Sequence, residues 1–244
     1  MIGIEPIMTT ITRDEIAALA EFDTPTIANA LETLQIAPVG TLGTDFRMMT
    51  DSAKPFVGLA ATATMSEQRG GKFEHLEAWL GFLDAIAAVG FPVIAVFKDN
   101  SRQPARDAMI GEGMSLAMKG AGAIGAILDG CMRDIRQVDA LDFPVICKGL
   151  TPDRGKIKFH QFQIPVVLGG TAISPGDVIH ADENGAIVIP PGRTKEIITA
   201  AAAVVQKEAQ IFALLRDPDF QVRTLREFYA PALDIAERER LNPA

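Results

Sequence analysis

The chain opens with two short stretches in which apolar residues recur at helical spacing. Thr12 followed by Glu15 forms a capping-box pattern, in which each side chain can accept a hydrogen bond from the backbone N–H of the other residue. Asp23 or Thr24, ahead of a proline, marks the start of a second helix, because proline is favoured in the first helical turn. The pattern predicts two N-terminal helices within residues 1–36.

After these helices, apolar runs of strand length alternate with amphipathic helical segments. Strands are predicted at residues 57–65 and in the runs PVIAVF and AIGAIL. Helices are predicted between them, around residues 76–87 and from Gly111 to Met118. Strands that are apolar on both faces and joined through helices are typical of a parallel sheet. We therefore predict an α/β core over residues 55–190, a layered sandwich of a mixed sheet with flanking helices.

The second half of this core carries shorter apolar runs. FPVICKG and IPVVLGG are predicted strands, and the polar segment TPDRGKIKFHQFQ between them is predicted to be a loop. PGDVIHADENGAIVIP is predicted to form a hairpin, because Asn184-Gly185 can supply the positive φ of a tight turn.

The C-terminal part is predicted to be helical. Pro190-Pro191 is expected to start a long helix that runs from Arg193 to Leu215, and Asp217 begins a charged tail. That tail is either an arm used in oligomer formation or a helix packed on its own subunit. We expect a single domain of 244 residues, in which residues 191–244 form the C-terminal helix and tail.

Composition narrows the class of protein. A formal charge of -8 and a pI near 5.0, with scattered basic residues, argue against a nucleic-acid partner. Cys131 and Cys147 are too few for a disulfide scaffold and are read as buried thiols in a reducing compartment. The N-terminus lacks the pattern of a secretory signal, and the longest apolar run, residues 85–97, is too short for a bilayer. A soluble, cytoplasmic protein without a membrane partner is expected.

Several familiar motifs do not fit this chain. Residues 120–125 satisfy G-x-G-x-x-G, but here a helix leads into a strand, whereas dinucleotide binding needs a strand followed by a helix. These glycines are instead expected to turn the helix into the strand. No G-x-S-x-G elbow is present, and His75, His160 and His180 lack the spacing of a zinc site.

Carboxylate and guanidinium groups remain as candidates for chemistry. Asp129, Gly130, Arg133 and Asp134 follow AIGAIL, and ligands of open α/β sheets bind beyond the carboxyl ends of the strands. Arginine can bind a carboxylate or an enolate through paired hydrogen bonds, while an aspartate can ligate a hard divalent cation. A surface ion pair at a helix start is the alternative interpretation of the same residues.

The segment from Gly111 to Ser115 adds a second feature. A glycine-rich turn that opens a helix presents free N–H groups and a positive dipole end to an anion. Glu112 would repel a lone anion, so its presence suggests a nearby cation.

These residues also carry a family resemblance. GEGMSLAMKGAGAIGAILDGCMRD, FPVICKGLTP and PGDVIHADENGAIVIP together resemble the family of the regulator of ribonuclease E activity A. That family includes class II pyruvate aldolases that act on 4-hydroxy-4-methyl-2-oxoglutarate and 4-carboxy-4-hydroxy-2-oxoadipate. The resemblance covers roughly residues 24–215, and the spacing from Gly111 to Arg133-Asp134 is its most specific part.

The resemblance implies a fold, an assembly and a set of roles. The fold would be like the swivelling phosphohistidine domain, assembled as a homotrimer or homohexamer with sites between subunits. Asp134 would ligate Mg²⁺ or Mn²⁺, Arg133 would bind the pyruvyl part of the substrate, and Glu112 would sit in the water shell of the metal. The carboxylate of the substrate would meet the backbone N–H groups of Gly111, Gly113, Met114 and Ser115.

The match to the family pattern departs at two positions. Gln137 stands where aldolases usually carry a carboxylate, and Asn29 stands where an aspartate is common. Loss of an outer-shell carboxylate could weaken metal binding or change which water acts as base. Glu208, on the long C-terminal helix, is a candidate to reach the site of a neighbouring subunit.

The function implied is a divalent-metal-dependent lyase that cleaves a C–C bond next to a 2-oxo acid and releases pyruvate. Retro-aldol cleavage of 4-hydroxy-2-oxo diacids would be the main reaction, and decarboxylation of oxaloacetate a side activity. One alternative is a non-catalytic regulator that binds ribonuclease E. Another is an enzyme of the same scaffold that acts on a different oxo acid or a sugar acid, which the change at Gln137 makes credible.

Overall fold

The computed structural model describes residues 11–37, 40–52, 54–67, 72–154 and 157–241. The first ten residues, for which the sequence predicts no secretory signal, lie outside this range. The helices of the described residues are α1 (Arg13–Leu19), α2 (Thr24–Thr33), α3 (Lys72–Val89), α4 (Glu112–Ala121), α5 (Ile135–Asp139), α6 (Thr194–Leu215) and α7 (Val222–Leu241).

Most strands of the described chain belong to one mixed sheet, with the order β1-β14-β13-β3-β4-β6-β8-β2 and with β10 also paired to β3. The strands are β1 (Gly40–Thr41), β2 (Arg47–Met48), β3 (Phe56–Glu67), β4 (Val93–Asp99), β5 (Ala108–Ile110), β6 (Ala123–Leu128), β7 (Cys131–Met132), β8 (Val145–Cys147), β9 (Gly149–Leu150), β10 (Ile157–Phe162), β11 (Val166–Leu168), β12 (Thr171–Ile173), β13 (Val178–Asp182) and β14 (Gly185–Ile189).

The two N-terminal helices form as predicted. The backbone N–H of Thr12 donates to Glu15 Oε2 at 2.7 Å, and that of Glu15 donates to Thr12 Oγ1 at 3.2 Å, so the capping box is confirmed. Asp23 Oδ1 accepts from the N–H of Thr26 at 2.7 Å and caps α2. Both caps satisfy backbone donors that the first helical turn leaves unpaired.

A buried histidine joins these helices to the sheet. His180 Nε2 lies 3.1 Å from the carbonyl of Leu19 and 3.0 Å from that of Phe22, while Nδ1 lies 2.9 Å from Thr24 Oγ1. Two carbonyl acceptors at Nε2 require a proton there, so Nδ1 accepts from the threonine hydroxyl. Burial lowers the pKa of His180, which therefore serves as a neutral structural linker.

The predicted parallel core is confirmed. Strands β3, β4, β6 and β8 pair in parallel, and α3 and α4 lie in the connections between them. Along β4, Val93 and Phe97 pack into one buried cluster, while Ile94 packs into a second cluster on the opposite face. Both faces are covered, which explains why the strand sequences are continuously apolar. The architecture is a mixed α/β fold with flanking helices, and its likeness to the swivelling phosphohistidine domain stays a prediction.

A second, smaller sheet was not predicted. Strands β5, β7 and β9 pair in parallel, with Ala108 opposite Cys131 and Cys131 opposite Gly149. The sequence suggested that Arg133 and Asp134 follow the strand of AIGAIL directly. In the structure the chain leaves that strand at Leu128 and re-enters the small sheet at β7. Strands of two or three residues have too little periodicity to be recognised from sequence.

One predicted loop is wrong in part. The polar segment of residues 151–163 contains β10, which pairs antiparallel with the distal half of β3. Ile157 and Phe159 alternate with the less buried Lys158, and both apolar side chains join the core. This period of two is the mark of a half-buried strand, and the surrounding polar residues concealed it.

The turns and the C-terminus follow the sequence with small shifts. Strands β13 and β14 form the predicted hairpin, with Asp182 opposite Gly185, and Gly122 ends α4 with a φ of 111°. Helix α6 begins at Thr194, two residues beyond Gly192, so the proline pair precedes the helix and does not open it.

Beyond α6, the tail forms a further helix, α7, that packs against α6. Among the described residues, α6 is the one helix that is long and apolar enough to cross a membrane, judged by length and composition. Its most apolar stretch has a mean hydropathy of 1.3 and is 11% buried. A single helix of this kind is weak evidence for a membrane span, because core helices can have the same composition.

Candidate functional site

The candidate site lies at the carboxyl edge of the small parallel sheet. Strand β5 ends at Ile110 and leads into Gly111, while β7 ends at Met132 and leads into Arg133 and Asp134. The backbone N–H of Arg133 donates to the carbonyl of Ile110 at 3.1 Å, which fixes the two strand ends side by side. The sheet therefore brings together two segments that are more than twenty residues apart in sequence.

Asp134 has an unusual backbone conformation at this edge. Its φ is 57°, in the left-handed region, where it precedes the short helix α5. Aspartate tolerates this conformation better than most residues, but the conformation still has an energetic cost. Such strain at a single polar residue is common at ligand sites.

The carboxylate of Asp134 is only partly satisfied by the protein. Its Oδ2 accepts from the N–H of Glu112 at 3.2 Å and lies 3.6 Å from Arg133 Nε. Its Oδ1 has no hydrogen-bond donor among the described residues. The side chains of Arg133 and Asp134 are each 36% exposed, so both remain accessible to a ligand.

Gly111 allows the two strand ends to approach each other. A Cβ atom added at this position would lie 2.4 Å from Asp134 Oδ2 and 3.0 Å from Arg133 Cγ. Its backbone is extended, with φ −150°, so glycine is needed for space and not for conformation. The carboxylate of Asp134 occupies the volume that any side chain at residue 111 would need.

The first turn of α4 contributes two free donors. The N–H of Glu112 is directed to Asp134, and the N–H of Ser115 donates to the carbonyl of Gly111 at 3.1 Å within the helix. The amides of Gly113 and Met114 have no acceptor among the described residues. Together with the positive end of the helix dipole, they can hold an anion.

An open cavity of about 570 Å³ adjoins these groups. Of the residues that the sequence singled out, the cavity is lined by Gly111, Gly113, Met114, Arg133 and Asp134. Glu112 and Ser115 do not line it. The side chain of Glu112 is exposed on α4, and Ser115 is buried with its hydroxyl unpaired among the described residues.

The cavity also has walls that the sequence did not reveal. They come from β3, α3, β5 and the segment around β10: Met65, His75, Leu76, Trp79, Ala108, Met109, Ile110, Arg154, Ile157, Lys158 and Phe159. The helical spacing of Leu76 and Leu80 was visible in the sequence, but it predicts an apolar helix face and not a cavity. The antiparallel pairing of β10 with β3 brings Lys158 and its strand beside α3, and this pairing is not visible in the sequence.

The remaining sequence candidates lie elsewhere. Asp129 lies next to Lys98 and Lys148 and does not line the cavity. Gln137 is exposed on α5. Glu208 Oε1 accepts from Asn29 Nδ2 at 3.3 Å, so the residue expected to reach a neighbouring subunit contacts α2 of its own chain.

The donor set allows a metal site of one kind only. Among the described residues, no group of three or more histidine, cysteine, aspartate or glutamate side chains could hold a metal ion. Mg²⁺ keeps several waters and is often bound through one or two carboxylates together with the substrate. A single aspartate with a free oxygen, as at Asp134, fits that kind of site and does not fit a cage made by the protein alone.

Comparisons with known proteins agree with the resemblance seen in the sequence. An uncharacterized protein of Methanocaldococcus jannaschii is 38% identical over 98 residues, which cover 40% of this chain and 47% of the relative. A protein of Halalkalibacterium halodurans named "Putative 4-hydroxy-4-methyl-2-oxoglutarate aldolase" is 36% identical over 110 residues, covering 45% of this chain and 50% of the relative. The matches with these two curated relatives thus span about half of their length.

Solved structures share the fold. Streptomyces coelicolor RraAS2, described as an unusual member of the RNase ES inhibitor RraA protein family, superimposes with a TM-score of 0.67. It is 23% identical, and the match covers 88% of this chain and 100% of that protein. The family model for RraA-like proteins, described as Aldolase/RraA, matches residues 24–188. By that match, which spans more than half of its length, the chain belongs to the RraA-like family.

Proposed function

We propose that this protein is a divalent-metal-dependent lyase that cleaves a C–C bond next to a 2-oxo acid and releases pyruvate. The observation that supports it most directly is the pairing of a half-satisfied carboxylate, Asp134, with the Arg133 guanidinium at the edge of a cavity. Relatives that carry the name "Putative 4-hydroxy-4-methyl-2-oxoglutarate aldolase" support the same reaction class.

The carboxylate end of a 2-oxo acid fits the first turn of α4. The free N–H groups of Gly113 and Met114 would donate to its oxygens, and the helix dipole would favour its negative charge. Because Gly111 has no side chain, the carboxylate of Asp134 lies close to the first turn of α4, so one ligand could contact both.

The keto end fits between the two charged side chains. Arg133 would donate to the keto oxygen and would stabilise the negative charge that develops there as the enolate of pyruvate forms. Asp134 would hold Mg²⁺ or Mn²⁺ through its free oxygen, and the bound cation would supply Lewis acidity. Glu112, exposed one residue after Gly111, is proposed to orient water around that cation.

The proposal includes an assembly. A homotrimer or homohexamer with sites at subunit interfaces is supported by apolar side chains that α6 leaves exposed, namely Val205, Phe212 and Leu215. Exposed apolar area of this kind commonly marks an interface between proteins. Light scattering in solution would test it, and a monomer at micromolar concentration would contradict it.

A coupled assay tests the reaction. The protein would be incubated with oxaloacetate or 4-hydroxy-4-methyl-2-oxoglutarate and Mg²⁺, and pyruvate would be followed before and after a chelator is added. We expect pyruvate release that the chelator abolishes. Absence of chelator-sensitive pyruvate from both substrates would contradict the proposal, and a pull-down against ribonuclease E would then test a regulatory role.

Metal binding can be measured without turnover. Mn²⁺ would be titrated into the protein and followed by its paramagnetic resonance signal. The Asp134→Asn variant removes the charged ligand and keeps a residue that tolerates positive φ, so it should fold normally. We expect binding by the parent protein and at least tenfold weaker binding by the variant, about 1.4 kcal/mol or more.

A further inference from the structure

The cavity has one polar end and one extended apolar wall. The polar end is formed by the first turn of α4 with Arg133 and Asp134. The wall opposite is formed by apolar side chains of β3, α3 and β10, namely Met65, Leu76, Trp79, Ile157 and Phe159. The pyruvyl part of a substrate needs only the polar end, so the wall must contact the rest of the ligand.

The wall belongs to the rigid core of the protein. The rings of Trp79 and Phe159 lie 4.9 Å apart, and Phe159 also meets Phe97 edge-on at 5.4 Å. Met65 and Phe159 are almost fully buried within the larger core cluster. A surface fixed in this way is present before a ligand binds and does not need to be ordered by it.

A hydrogen bond holds the two sides of the wall together. His75 Nδ1 lies 2.7 Å from the carbonyl oxygen of Phe159, which requires a proton on Nδ1. This bond ties α3 to β10, and His75 itself lines the cavity beside the wall. The spacing between Trp79 and Phe159 is therefore set by both backbone and side-chain contacts.

The chemistry of the wall selects the substituent that it can hold. A carboxylate placed against it would lose water and could gain at most the indole N–H of Trp79 as a hydrogen-bond donor from these side chains, which is costly. An alkyl or aryl group would bind about tenfold to a hundredfold more tightly through burial of the same area. The cationic side chains of Arg154 and Lys158 also line the cavity, but Arg154 is exposed and Lys158 is half-buried, so both keep contact with water and neither belongs to the apolar wall.

Resting on the proposed lyase function, we infer that the preferred substrate is a 4-hydroxy-2-oxo acid with an apolar, phenyl-sized substituent at C4. In its cleavage, the C4 hydroxyl loses its proton, and C4 with its oxygen becomes the carbonyl group of an aldehyde. The C3–C4 bond breaks, and its electron pair passes to C3 to give the enolate of pyruvate. Protonation at C3 completes pyruvate, so the reaction needs no oxidant, reductant or second substrate.

Two leucines on α3 provide a matched test. Leu76 and Leu80 are one helical turn apart and similarly exposed, at 52% and 49%, but only Leu76 lines the cavity. Replacement of either by asparagine changes a partly exposed side chain, so both variants should fold. Leu76→Asn places a polar group on the wall, and Leu80→Asn serves as the control.

The experiment compares kcat/KM for 4-hydroxy-2-oxo-4-phenylbutanoate and 4-hydroxy-4-methyl-2-oxoglutarate, with oxaloacetate as a reference that has no C4 hydroxyl. In the parent protein we expect the phenyl substrate to be preferred about tenfold or more over the diacid. Leu76→Asn should lower the ratio of phenyl substrate to oxaloacetate at least about threefold. Leu80→Asn should leave that ratio at the parent value.

The outcomes separate the two levels of the proposal. Cleavage of the diacid in preference to the phenyl substrate would overturn the inference and leave the lyase function standing. Equal effects of the two leucine variants would also overturn it, because the wall would then not contact the substituent. Absence of pyruvate from all three substrates would instead contradict the lyase function itself.

Discussion

Asp129 and Asp134 are five positions apart and follow two consecutive strands, yet their surroundings differ in kind. Asp129 is 5% exposed, and each of its oxygens faces an ammonium group: Oδ2 contacts Lys98, and Oδ1 lies 2.7 Å from Lys148. Asp134 is 36% exposed, and its ion pair among the described residues is with Arg133, whose Nε lies 3.6 Å from Oδ2. The first carboxylate is saturated by the protein, whereas the second keeps an oxygen for a ligand.

The Asp129 cluster extends to the protein surface through Lys148. The Lys148 ammonium also lies 2.9 Å from Asp45 Oδ2 and 5.0 Å from the ring centre of Phe46. Burial opposes the charge, but the bonds to Asp129 and Asp45 raise the pKa of Lys148 overall. These ion pairs join the ends of β4, β6 and β8, so their role is to hold the sheet edge together.

The largest expected effect is a loss of activity at the Asp134 region, which the Asp129 cluster should not show. Arg133→Ala should lower kcat for pyruvate release by at least about a hundredfold, because it removes a donor to the developing enolate. Its free energy of unfolding should change little, since the side chain is one-third exposed. Steady-state kinetics together with urea unfolding would check both. Activity within threefold of the parent protein would show that Arg133 does not contact the reacting atoms.

The second effect concerns stability. Asp129→Asn should cost about 2 kcal/mol, because it leaves two lysine charges at the sheet edge without a counter-charge. The loss is modest because Lys98 and Lys148 are each about 30% exposed, so water partly solvates their charges. The same substitution at Asp134 should change the unfolding free energy by less than about 0.5 kcal/mol. If urea titrations gave the two variants equal losses of unfolding free energy, Asp129 would not be the more strongly paired carboxylate.

A steric test follows from Gly111. Gly111→Ala would place a methyl group 2.4 Å from Asp134 Oδ2 and should displace that carboxylate, lowering kcat about tenfold. Gly120→Ala is the matched control, because Gly120 lies in α4, which Gly111 precedes as N-cap, and its added methyl group meets nothing within 4 Å. The control should keep full activity and gain up to about 1 kcal/mol of stability from helix propensity. Equal activity of the two variants would contradict the steric argument.

The smallest effect is a pH dependence at the buried end of the main sheet. Both cysteines are free and buried as predicted, and burial raises the pKa of Cys147 to about 11. The pKa of a thiol in an unfolded chain is about 8.5. Above that pH the unfolded chain therefore loses a proton that the folded chain keeps. Stability should therefore fall as pH rises from about 8.5 towards 11. Urea unfolding at pH 8 and pH 10 would show a smaller decline for Cys147→Ala, and an identical decline would indicate that the thiol is solvated.

Prediction from sequence was accurate where local signals were strong. The capping box of Thr12 and Glu15, the parallel core and the hairpin at Asn184-Gly185 all form as expected. Each is specified by residues close together in the chain or by long apolar runs. The segment of β10 was missed because its three apolar side chains, Ile157, Phe159 and Phe162, are interrupted by polar residues and do not keep a strict alternation.

The candidate site was only partly accessible to sequence reasoning. The family resemblance gave Gly111 and Asp134 roles around the same ligand, and in the structure the two residues are close neighbours. Asp129 was grouped with the site because it lies close in sequence, but it belongs to the ion-pair cluster on the main sheet. A shift from one sheet to the other between Leu128 and Cys131 separates the two aspartates, and no local pattern encodes that shift.

The sequence by itself determined the longer helices and strands, the class of fold and the chemical identity of the candidate groups. Those depend on periodicity, capping and residue type, which are local properties of the chain. The tertiary structure decided which carboxylate is neutralised, which helix amides remain free and which apolar side chains line the cavity. These depend on contacts between segments distant in sequence, where burial and competition for partners set the properties of each group.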